Sequence, residues 1–376
     1  MVKKQFCSSH EVKSYNLIKN LPLDKYKYSF LEKFLSRTTN QGKDLCFFVR
    51  QAMTLEWRIR RCYSEDLSMA SSEFVKMMLV DACFIIEVLR RFGRSEEFTD
   101  GFSFFLIEPW RFPILVRDLL MLENQIPFFI LEKLFDLSES TEEKSTVSVI
   151  SMVLKIFDLA FPRSLDFTSK FNHLEPKHLL DLILQIVRPS NPSTSKSTAK
   201  RKKVHFLESA SELRKSGIEF KPRRADRFTD IHFKDGVLEI PPVNINDLFI
   251  AILINCVALE HCSASTGCSN DLTVYTYFMS SLIRYPTDVE CLCSDGIISA
   301  FSNGNNQVAS SFSSIPFNIS DIEFDIIEDS YLYKTVMETE RYYTGDKITR
   351  LRYYLRDPRI FLFCITTLCF LQFIFC

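Results

Sequence analysis

Two long segments of this chain place apolar residues at helical spacing, and that spacing constrains the fold more than any other feature. Leu45 to Cys62 has apolar residues every three or four positions, and Ser72 to Arg91 repeats the pattern. The second segment has the wider apolar face, which is typical of a helix at the centre of a core. Polar loops separate the segments, so we predict a mainly α fold with a multi-helix globular body.

The same spacing predicts the remaining helices, and turn residues predict one hairpin. Further helices are expected near 113–123, 126–136, 149–160, 175–188, 248–260 and 272–285. A long amphipathic helix is predicted from Ser320 toward Tyr343, whereas the polar run 302–314 is predicted to be a loop. Asp235-Gly236 separates two short strand-like runs, which indicates a small β-hairpin near 231–240 with a type I′ turn.

Helix ends are marked by residues that suit capping. Candidate N-terminal caps and capping boxes are Asn124, Asn246, Ser209 with Glu212, and Thr287 with Glu290. Gly217 and Gly296 stand where helices are expected to end, because glycine adopts the left-handed conformation of a C-terminal cap.

The composition disfavours two broad classes of function. The chain has 376 residues and a net charge of −1, so it lacks the basic footprint of a nucleic-acid-binding protein. Only nine residues are glycine, and neither G-x-G-x-x-G nor G-x-x-x-x-G-K-[ST] occurs. Loops that hold phosphates need glycine where the backbone approaches the ligand. We therefore expect no nucleic acid partner and no small-molecule cofactor.

The twelve cysteines do not match a metal site or a disulfide framework. Cys256, Cys262 and Cys268 are six residues apart, and Cys291 and Cys293 are separated by one residue. Structural zinc sites use cysteine pairs with two to four residues between them. We predict no metal site and expect most of the cysteines to be reduced, packed thiols.

No local pattern predicts catalysis. Glu260-His261-Cys262 is consecutive, and helix neighbours one or two apart do not face each other. Asp81 and Glu87 are six apart in a core helix and point to different faces. His173 and His178 are five apart, whereas a helical metal pair prefers four. We expect no catalytic residues, although groups from separate segments of the chain remain an alternative.

The last seventeen residues, 360–376, carry no charge and predict a membrane anchor. As a helix they span about 25 Å, at the short limit for a bilayer. Basic residues are retained on the cytoplasmic side of a membrane, and they precede this segment at Lys347, Arg350, Arg352, Arg356 and Arg359. We therefore predict a single-pass anchor with a cytosolic body. The predicted anchor residues are Ile360, Phe361, Leu362, Phe363, Ile365, Leu368, Phe370, Leu371, Phe373, Ile374 and Phe375. A buried C-terminal core helix and a chain cut short within its anchor remain alternatives.

The clearest boundary along the chain is the basic, Ser- and Pro-rich stretch 189–203, which is typical of a disordered linker. The predicted organisation is a poorly ordered N-terminus (1–22), a first helical half (23–188), the linker (189–203), a second half (204–345), and a basic flank with the anchor (346–376). Asn318-Ile319-Ser320 is a glycosylation sequon, which would be modified only if the body were extracellular.

Several segments together resemble one plant family, domain of unknown function 247. The most specific are Glu73–Glu87 and Met121–Phe135, and segments 209–221, 233–242 and 288–298 are also similar. The motif residues are Glu73, Asp81, Cys83, Glu87, Leu122, Glu123, Asn124, Gln125 and Pro127. This resemblance implies a mostly helical plant protein, usually with one C-terminal membrane helix and with no established enzymatic activity. Some members of the family are implicated in grass self-incompatibility, which points to recognition.

The residues and the resemblance together predict a non-catalytic recognition protein. It would bind a membrane through its C-terminal helix and an unidentified protein through its helical body, with Asp321 to Tyr343 as a candidate contact. Glu123, Asn124 and Gln125 are expected to satisfy backbone groups at a helix break rather than to react. The alternatives are an enzyme of unrecognised class on a helical scaffold and a soluble remnant of a degraded family member.

Overall fold

The chain forms two compact units in the computed structural model. The first comprises Met1–Val187 and Ala251–Cys268, and the second comprises Arg188–Ile250 and Ser269–Cys376. The structure describes residues 23–64, 67–93, 111–139, 147–160, 171, 173–190, 207–263, 269–299, 304–314 and 330–345.

The structure is mainly helical, as predicted. In chain order the helices are α1 (Leu23–Ser36), α2 (Leu45–Arg60), α3 (Ser71–Gly93), α4 (Arg111–Leu119), α5 (Phe128–Ser138), α6 (Val149–Ala160), α7 (Leu179–Val187), α8 (Ala210–Lys215), α9 (Asp247–Ser263), α10 (Asp271–Leu282), α11 (Pro286–Ser294), α12 (Asn305–Ser314) and α13 (Tyr333–Gly345). Short 3₁₀ turns lie at Thr39–Gln41 and Leu122–Asn124. The strands are β1 (Glu219–Pro222), β2 (His232–Lys234), β3 (Val237–Ile240), β4 (Val243–Asn244) and β5 (Ile298–Ser299).

Helix α3 lies at the centre of the first unit and contacts α1, α2, α5 and α6. Its wide apolar face accounts for this position, because residues on most sides of the helix are buried. The packing against α6 is close at the end of α3. A side chain at Gly93 would place its Cβ 2.6 Å from Met152 Cβ, so only glycine fits without movement.

The second unit contains two small sheets. In the three-stranded sheet β3 is central, parallel to β1 and antiparallel to β2, with Leu238 level with Phe220 and Phe233. The predicted hairpin is present, and Asp235 and Gly236 have positive φ angles of 51° and 83°, as a type I′ turn requires. Strand β4 pairs with β5 in parallel.

The prediction of a polar loop over 302–314 is wrong, because residues 305–314 form α12. Three side chains at helical spacing, Val308, Ala309 and Phe312, are buried, and the helix packs against α10 and α11. Tertiary packing of this narrow apolar face therefore outweighs a polar, Ser- and Asn-rich composition.

The capping predictions had mixed outcomes. Asn246 caps α9, since its Oδ1 accepts a hydrogen bond from the Phe249 N–H at 2.9 Å. At α11 the capping carboxylate is Asp288 rather than Glu290, and it accepts from the backbone N–H groups of Tyr285 and Arg284. Ser209 precedes α8 without a capping hydrogen bond from its side chain.

The long helix predicted from Ser320 to Tyr343 is not continuous, because residues 330–332 form a bend and turn and the described helix begins at Tyr333. The rest of that segment, the sequon, the linker from 191 to 203 and the predicted anchor at 360–376 lie outside the described residues. Among the described residues, no helix is long and apolar enough to cross a membrane.

Candidate functional site

The side chain of Gln125 links the end of α4 to α7 in the first unit. Its Nε2 donates to the carbonyl oxygens of Leu119 and Met121, at 2.9 and 2.7 Å, after α4 ends. Its Oε1 accepts from the Leu180 N–H at 3.0 Å, in the first turn of α7. The hydroxyl of Tyr63 donates to the Gln125 backbone oxygen at 3.2 Å. Gln125 therefore satisfies backbone groups that the helix ends leave unpaired.

The neighbours of Gln125 in the second motif block also bind backbone or pack. Asn124 donates to the Asp118 carbonyl at 2.9 Å, so it caps the end of α4 instead of the start of α5. The Leu122 N–H donates to Asn255 Oδ1 at 2.8 Å. Pro127 is buried at the start of α5, whereas the side chain of Glu123 is exposed. Asn124 and Gln125 therefore bind backbone groups as predicted, whereas no described contact gives Glu123 that role.

The motif residues of the first block lie on α3 and have three different environments. Asp81 and Glu87 pair with basic side chains, Cys83 is buried and Glu73 is exposed. Asp81 accepts a hydrogen bond from the ammonium of Lys27 at 2.6 Å. Cys83 is fully buried, and burial raises the pKa of its thiol well above the ordinary value. Glu73 is exposed in the first turn of the helix. Asp81 pairs with Lys27, whereas Glu87 pairs with Arg37 and Arg90.

Glu87, the remaining motif residue, belongs to a cluster with Arg37, Arg90 and Glu139, which we name the ion cluster. Arg90 donates to Glu87 at 2.7 Å and to Glu139 at 2.7 Å. Arg37 approaches Glu87 with both Nε and Nη2, at 3.1 Å each. The Arg90 guanidinium also lies 5.1 Å from the centre of the Phe135 ring. This bonding satisfies a buried charge and joins α3 to α1 and α5.

The described histidines and cysteines among those singled out in the sequence are not placed together as a metal site. His178 is buried, and burial lowers its pKa to about 4. Its Nδ1 accepts from the Asp181 N–H at 3.1 Å, whereas His173 is exposed. Within the described part of the chain, no three His, Cys, Asp or Glu side chains are placed to hold a metal ion.

Among the described residues, one cysteine is disulfide-bonded and six are free. Cys262 is disulfide-bonded, so the Glu260-His261-Cys262 run has no free thiol. The free cysteines are Cys46, Cys62, Cys83, Cys256, Cys291 and Cys293. Burial raises the pKa of Cys62, Cys291 and Cys293, so these thiols are poor nucleophiles at neutral pH.

An apolar groove lies between α1, α2 and α3 in the described part of the first unit, and we name it the α2 groove. Its volume is about 700 Å³, within the range of natural binding clefts. It is lined by Tyr28, Leu31, Leu45, Val49, Met53, Ser71, Ser72, Val75, Lys76, Leu79 and Val80. Large apolar side chains at its edge are exposed: Tyr28 by 43%, Leu45 by 44% and Met53 by 53%.

The groove continues as an exposed stripe along α2. Leu45, Val49, Met53 and Trp57 are spaced four residues apart and therefore lie on one face of the helix. Trp57 is 69% exposed, and the guanidinium of Arg61 lies 4.5 Å from the centre of its ring. Contiguous exposed apolar surface of this kind marks interaction sites in soluble domains.

Polar groups at the groove are few. Of the described residues that line it, Lys76 alone is charged, and its ammonium lies 5.5 Å from the centre of the Tyr28 ring. Ser71 donates to Glu56 Oε2, and this hydrogen bond together with one from Arg60 lowers the pKa of Glu56. An apolar cleft with one cation is suited to binding an apolar surface that carries a negative charge, and it contains no described acid–base pair.

Sequence reasoning missed this site. It predicted α2 from the apolar spacing but did not predict an exposed face; one face of the helix is buried through Phe48, Ala52 and Ile59. The available signal was a second apolar stripe on the same helix, which begins at Leu45 and ends at Trp57.

Comparison with known proteins assigns the chain to a family without a known activity. Residues 10–373 match domain of unknown function 247, described as "Plant protein of unknown function". The chain is 29% identical to UPF0481 protein At3g47200 of Arabidopsis thaliana in an alignment 352 positions long that covers 86% of this chain and 71% of that protein. It is 21% identical to Putative UPF0481 protein At3g02645 of Arabidopsis thaliana in a gapped alignment 418 positions long that covers 86% of this chain and 75% of that protein. No solved structure matches the chain. The protein therefore belongs to the plant family of domain of unknown function 247.

Proposed function

We propose that this protein is a non-catalytic recognition protein that binds another protein through the α2 groove and the exposed stripe of α2. The observation that carries the proposal is the exposure of Leu45, Met53 and Trp57 at four-residue spacing beside a groove. Burying this surface against a partner would gain roughly 25 cal/mol for each Å² of apolar area removed from water. Aromatic and methionine side chains of this kind are enriched at protein interfaces.

The motif residues support recognition rather than chemistry. Gln125 binds backbone atoms, Cys83 is enclosed, and Asp81 and Glu87 are paired with basic side chains. These residues hold the first unit in one conformation and so keep the α2 groove in shape. The segment favoured from sequence, Asp321 to Tyr343, is a weaker candidate because its described helix packs on β2, with Tyr342 against Phe233 at 5.8 Å.

Photo-cross-linking from defined positions tests the recognition role. A photoreactive amino acid replaces Met53 in the full-length protein expressed in plant tissue, and the matched control replaces Ile114, which is also apolar and is 42% exposed. We expect a defined protein to cross-link from position 53 and not from position 114. Equal cross-linking from both positions would contradict docking at the α2 groove.

We further propose that residues 360–376 anchor the protein in a membrane with its body in the cytosol. The support is the uncharged segment and the basic residues that precede it. One observation favours the opposite topology: Cys262 is disulfide-bonded, and disulfides persist mainly in oxidising compartments.

Carbonate extraction followed by protease treatment of intact vesicles decides between the two topologies. A protein that stays in the membrane, is fully digested and carries no glycan on Asn318 supports the cytosolic body. A protected and glycosylated body reverses the topology, and a protein released into the supernatant contradicts the anchor.

A further inference from the structure

Three helices of the first unit line the α2 groove. α1 forms one wall with Tyr28 and Leu31, α2 forms the other, and α3 forms the floor. We propose that the groove binds an amphipathic α-helix of a partner protein, and that this helix carries a carboxylate that pairs with Lys76. This inference rests on the proposed recognition function and names the chemistry of the partner.

The spacing of the lining residues favours a helical occupant. The floor is formed by Val75, Leu79 and Val80, of which Val75 and Leu79 lie one turn apart on α3, and the wall on α2 repeats every four residues. The stripe from Leu45 to Trp57 spans about 18 Å, or just over three helical turns. Ridges of side chains at four-residue spacing pack into grooves of the same kind on a neighbouring helix. An amphipathic helix with apolar residues at i, i+4 and i+7 presents such a ridge.

The positive charge of Lys76 at the groove predicts an acidic residue on the polar edge of the partner helix. Lys76 is exposed and, in the described part of the chain, pairs with no carboxylate. Nearby Lys27 differs, because Asp81 already binds it. Arg50 and Arg61 are exposed on and just after α2, so the basic character extends along the stripe. A partner with an acidic residue opposite Lys76 would gain a charge pair at the rim, which selects the partner and speeds association.

The two ends of this chain do not match that description. Residues 1–22 carry the four lysines Lys3, Lys4, Lys13 and Lys19 against the single acid Glu11. Residues 360–376 contain no acidic side chain. A basic segment would be repelled by Lys76, and an uncharged one would leave Lys76 unpaired. Neither end of the chain therefore supplies the matching chemistry, and we assign the occupant to a partner protein as an acidic, amphipathic helix.

Selection from a display library of helical peptides tests this inference even while the partner is unidentified. The full-length protein in detergent is the bait, and Met53→Glu is the counter-selection bait. Met53 is more than half exposed, so this substitution leaves the core intact, and an unchanged melting temperature confirms it. We expect enriched peptides to carry apolar residues at i, i+4 and i+7 and an Asp or Glu at one fixed position.

A charge exchange then tests the pairing with Lys76. For an enriched peptide, Lys76→Glu is expected to weaken binding about tenfold, because it places two like charges across the interface. Changing the acid of the peptide to lysine should restore binding to the Lys76→Glu protein. Lys76→Arg, which keeps the charge, should bind the original peptide nearly as well as the native protein does.

The outcomes separate this inference from the proposed function. If the groove-dependent peptides lack a common acid, or the charge exchange restores nothing, the carboxylate pairing is overturned and docking at the groove stands. If no enriched peptide distinguishes the native protein from Met53→Glu, docking itself fails. Displacement of the peptides by a synthetic peptide of residues 94–110, an acidic and aromatic part of this chain, would make the occupant internal and overturn the partner helix.

Discussion

Arg90 and Glu87 form an ion pair one helical turn apart on α3, at 2.7 Å, with both side chains no more than 1% exposed. Each charge depends on the other, because burial removes both from water. The pair lies on α3, and the same helix forms the floor of the α2 groove. Its contribution to stability is directly testable.

Arg90→Met is expected to lower the free energy of unfolding by about 3–5 kcal/mol, since it leaves Glu87 and Glu139 with one fewer cation. Arg37→Met is the matched control, because Arg37 contacts the same carboxylate but is 28% exposed, and its removal should cost less than half as much. Urea titration of both variants measures the difference. Equal losses would contradict the central role of Arg90.

Gln125→Met keeps the side-chain volume but removes three hydrogen bonds to backbone groups. We expect a loss of about 2–4 kcal/mol and faster hydrogen exchange at the Leu180 amide, which would no longer have its acceptor. Asn124→Ala, which removes one exposed hydrogen bond, should cost about 1 kcal/mol or less. A Leu180 amide that stays protected in Gln125→Met would show that the amide bridge is dispensable.

His178 makes stability depend on pH. Burial lowers its pKa from 6.5 to about 4, with smaller and opposing effects from Asp181 and Lys177. Between these values the unfolded chain binds a proton that the folded protein excludes, so stability is complete above pH 6.5 and falls as the pH drops toward 4. Protonation of His178 over this pH range lowers the free energy of unfolding by about 3 kcal/mol.

The comparison of His178→Gln with His173→Gln isolates that contribution. Denaturation measured from about pH 7.5 to about pH 4 should show a shallower pH dependence in His178→Gln, since the titrating group is gone. His173 is exposed, and its replacement should leave the slope unchanged. A native slope in His178→Gln would assign the acid sensitivity to other groups.

Gly236→Ala tests the close approach of α13 to the hairpin. Gly236 has a φ of +83°, and an added Cβ would lie 2.6 Å from Tyr342 Oη and 2.7 Å from Tyr342 Cζ. Backbone strain and overpacking together should lower the free energy of unfolding of Gly236→Ala by about 2–4 kcal/mol. Gly296→Ala has a similar φ of +71° with nothing within 4 Å, so it should cost about 1 kcal/mol. Thermal unfolding of the two variants distinguishes packing from backbone strain.

Much of the fold could be predicted because the local pattern and the tertiary structure agree. α3 is apolar on most sides and is central, and Asp235-Gly236 allows only a narrow set of turns. β1 was missed because its pairing with β3 is non-local and parallel, which no short pattern in Glu219–Pro222 reveals. α12 was missed because its sequence is mostly polar, and the burial of Val308, Ala309 and Phe312 is what favours a helix there.

The candidate site was harder to predict for a different reason. Periodicity shows that α2 has apolar residues on two faces, but which face remains uncovered depends on where α1 and α3 pack. Phe48 is buried and Leu45 is 44% exposed, although both are large and apolar and lie one turn apart. Asn124 and Gln125 bind backbone groups, as the helix break predicts, whereas Glu123 is exposed.

The most direct test of recognition through the α2 groove is the affinity of the protein that cross-links from position 53, purified and titrated against three forms of the full-length chain. We predict that Met53→Glu weakens binding by at least about tenfold relative to the native protein, because it buries a charge in an apolar contact. Ile114→Glu, an equal change at another exposed apolar residue, should bind as the native protein does. Equal affinity for all three forms would contradict recognition through the α2 groove.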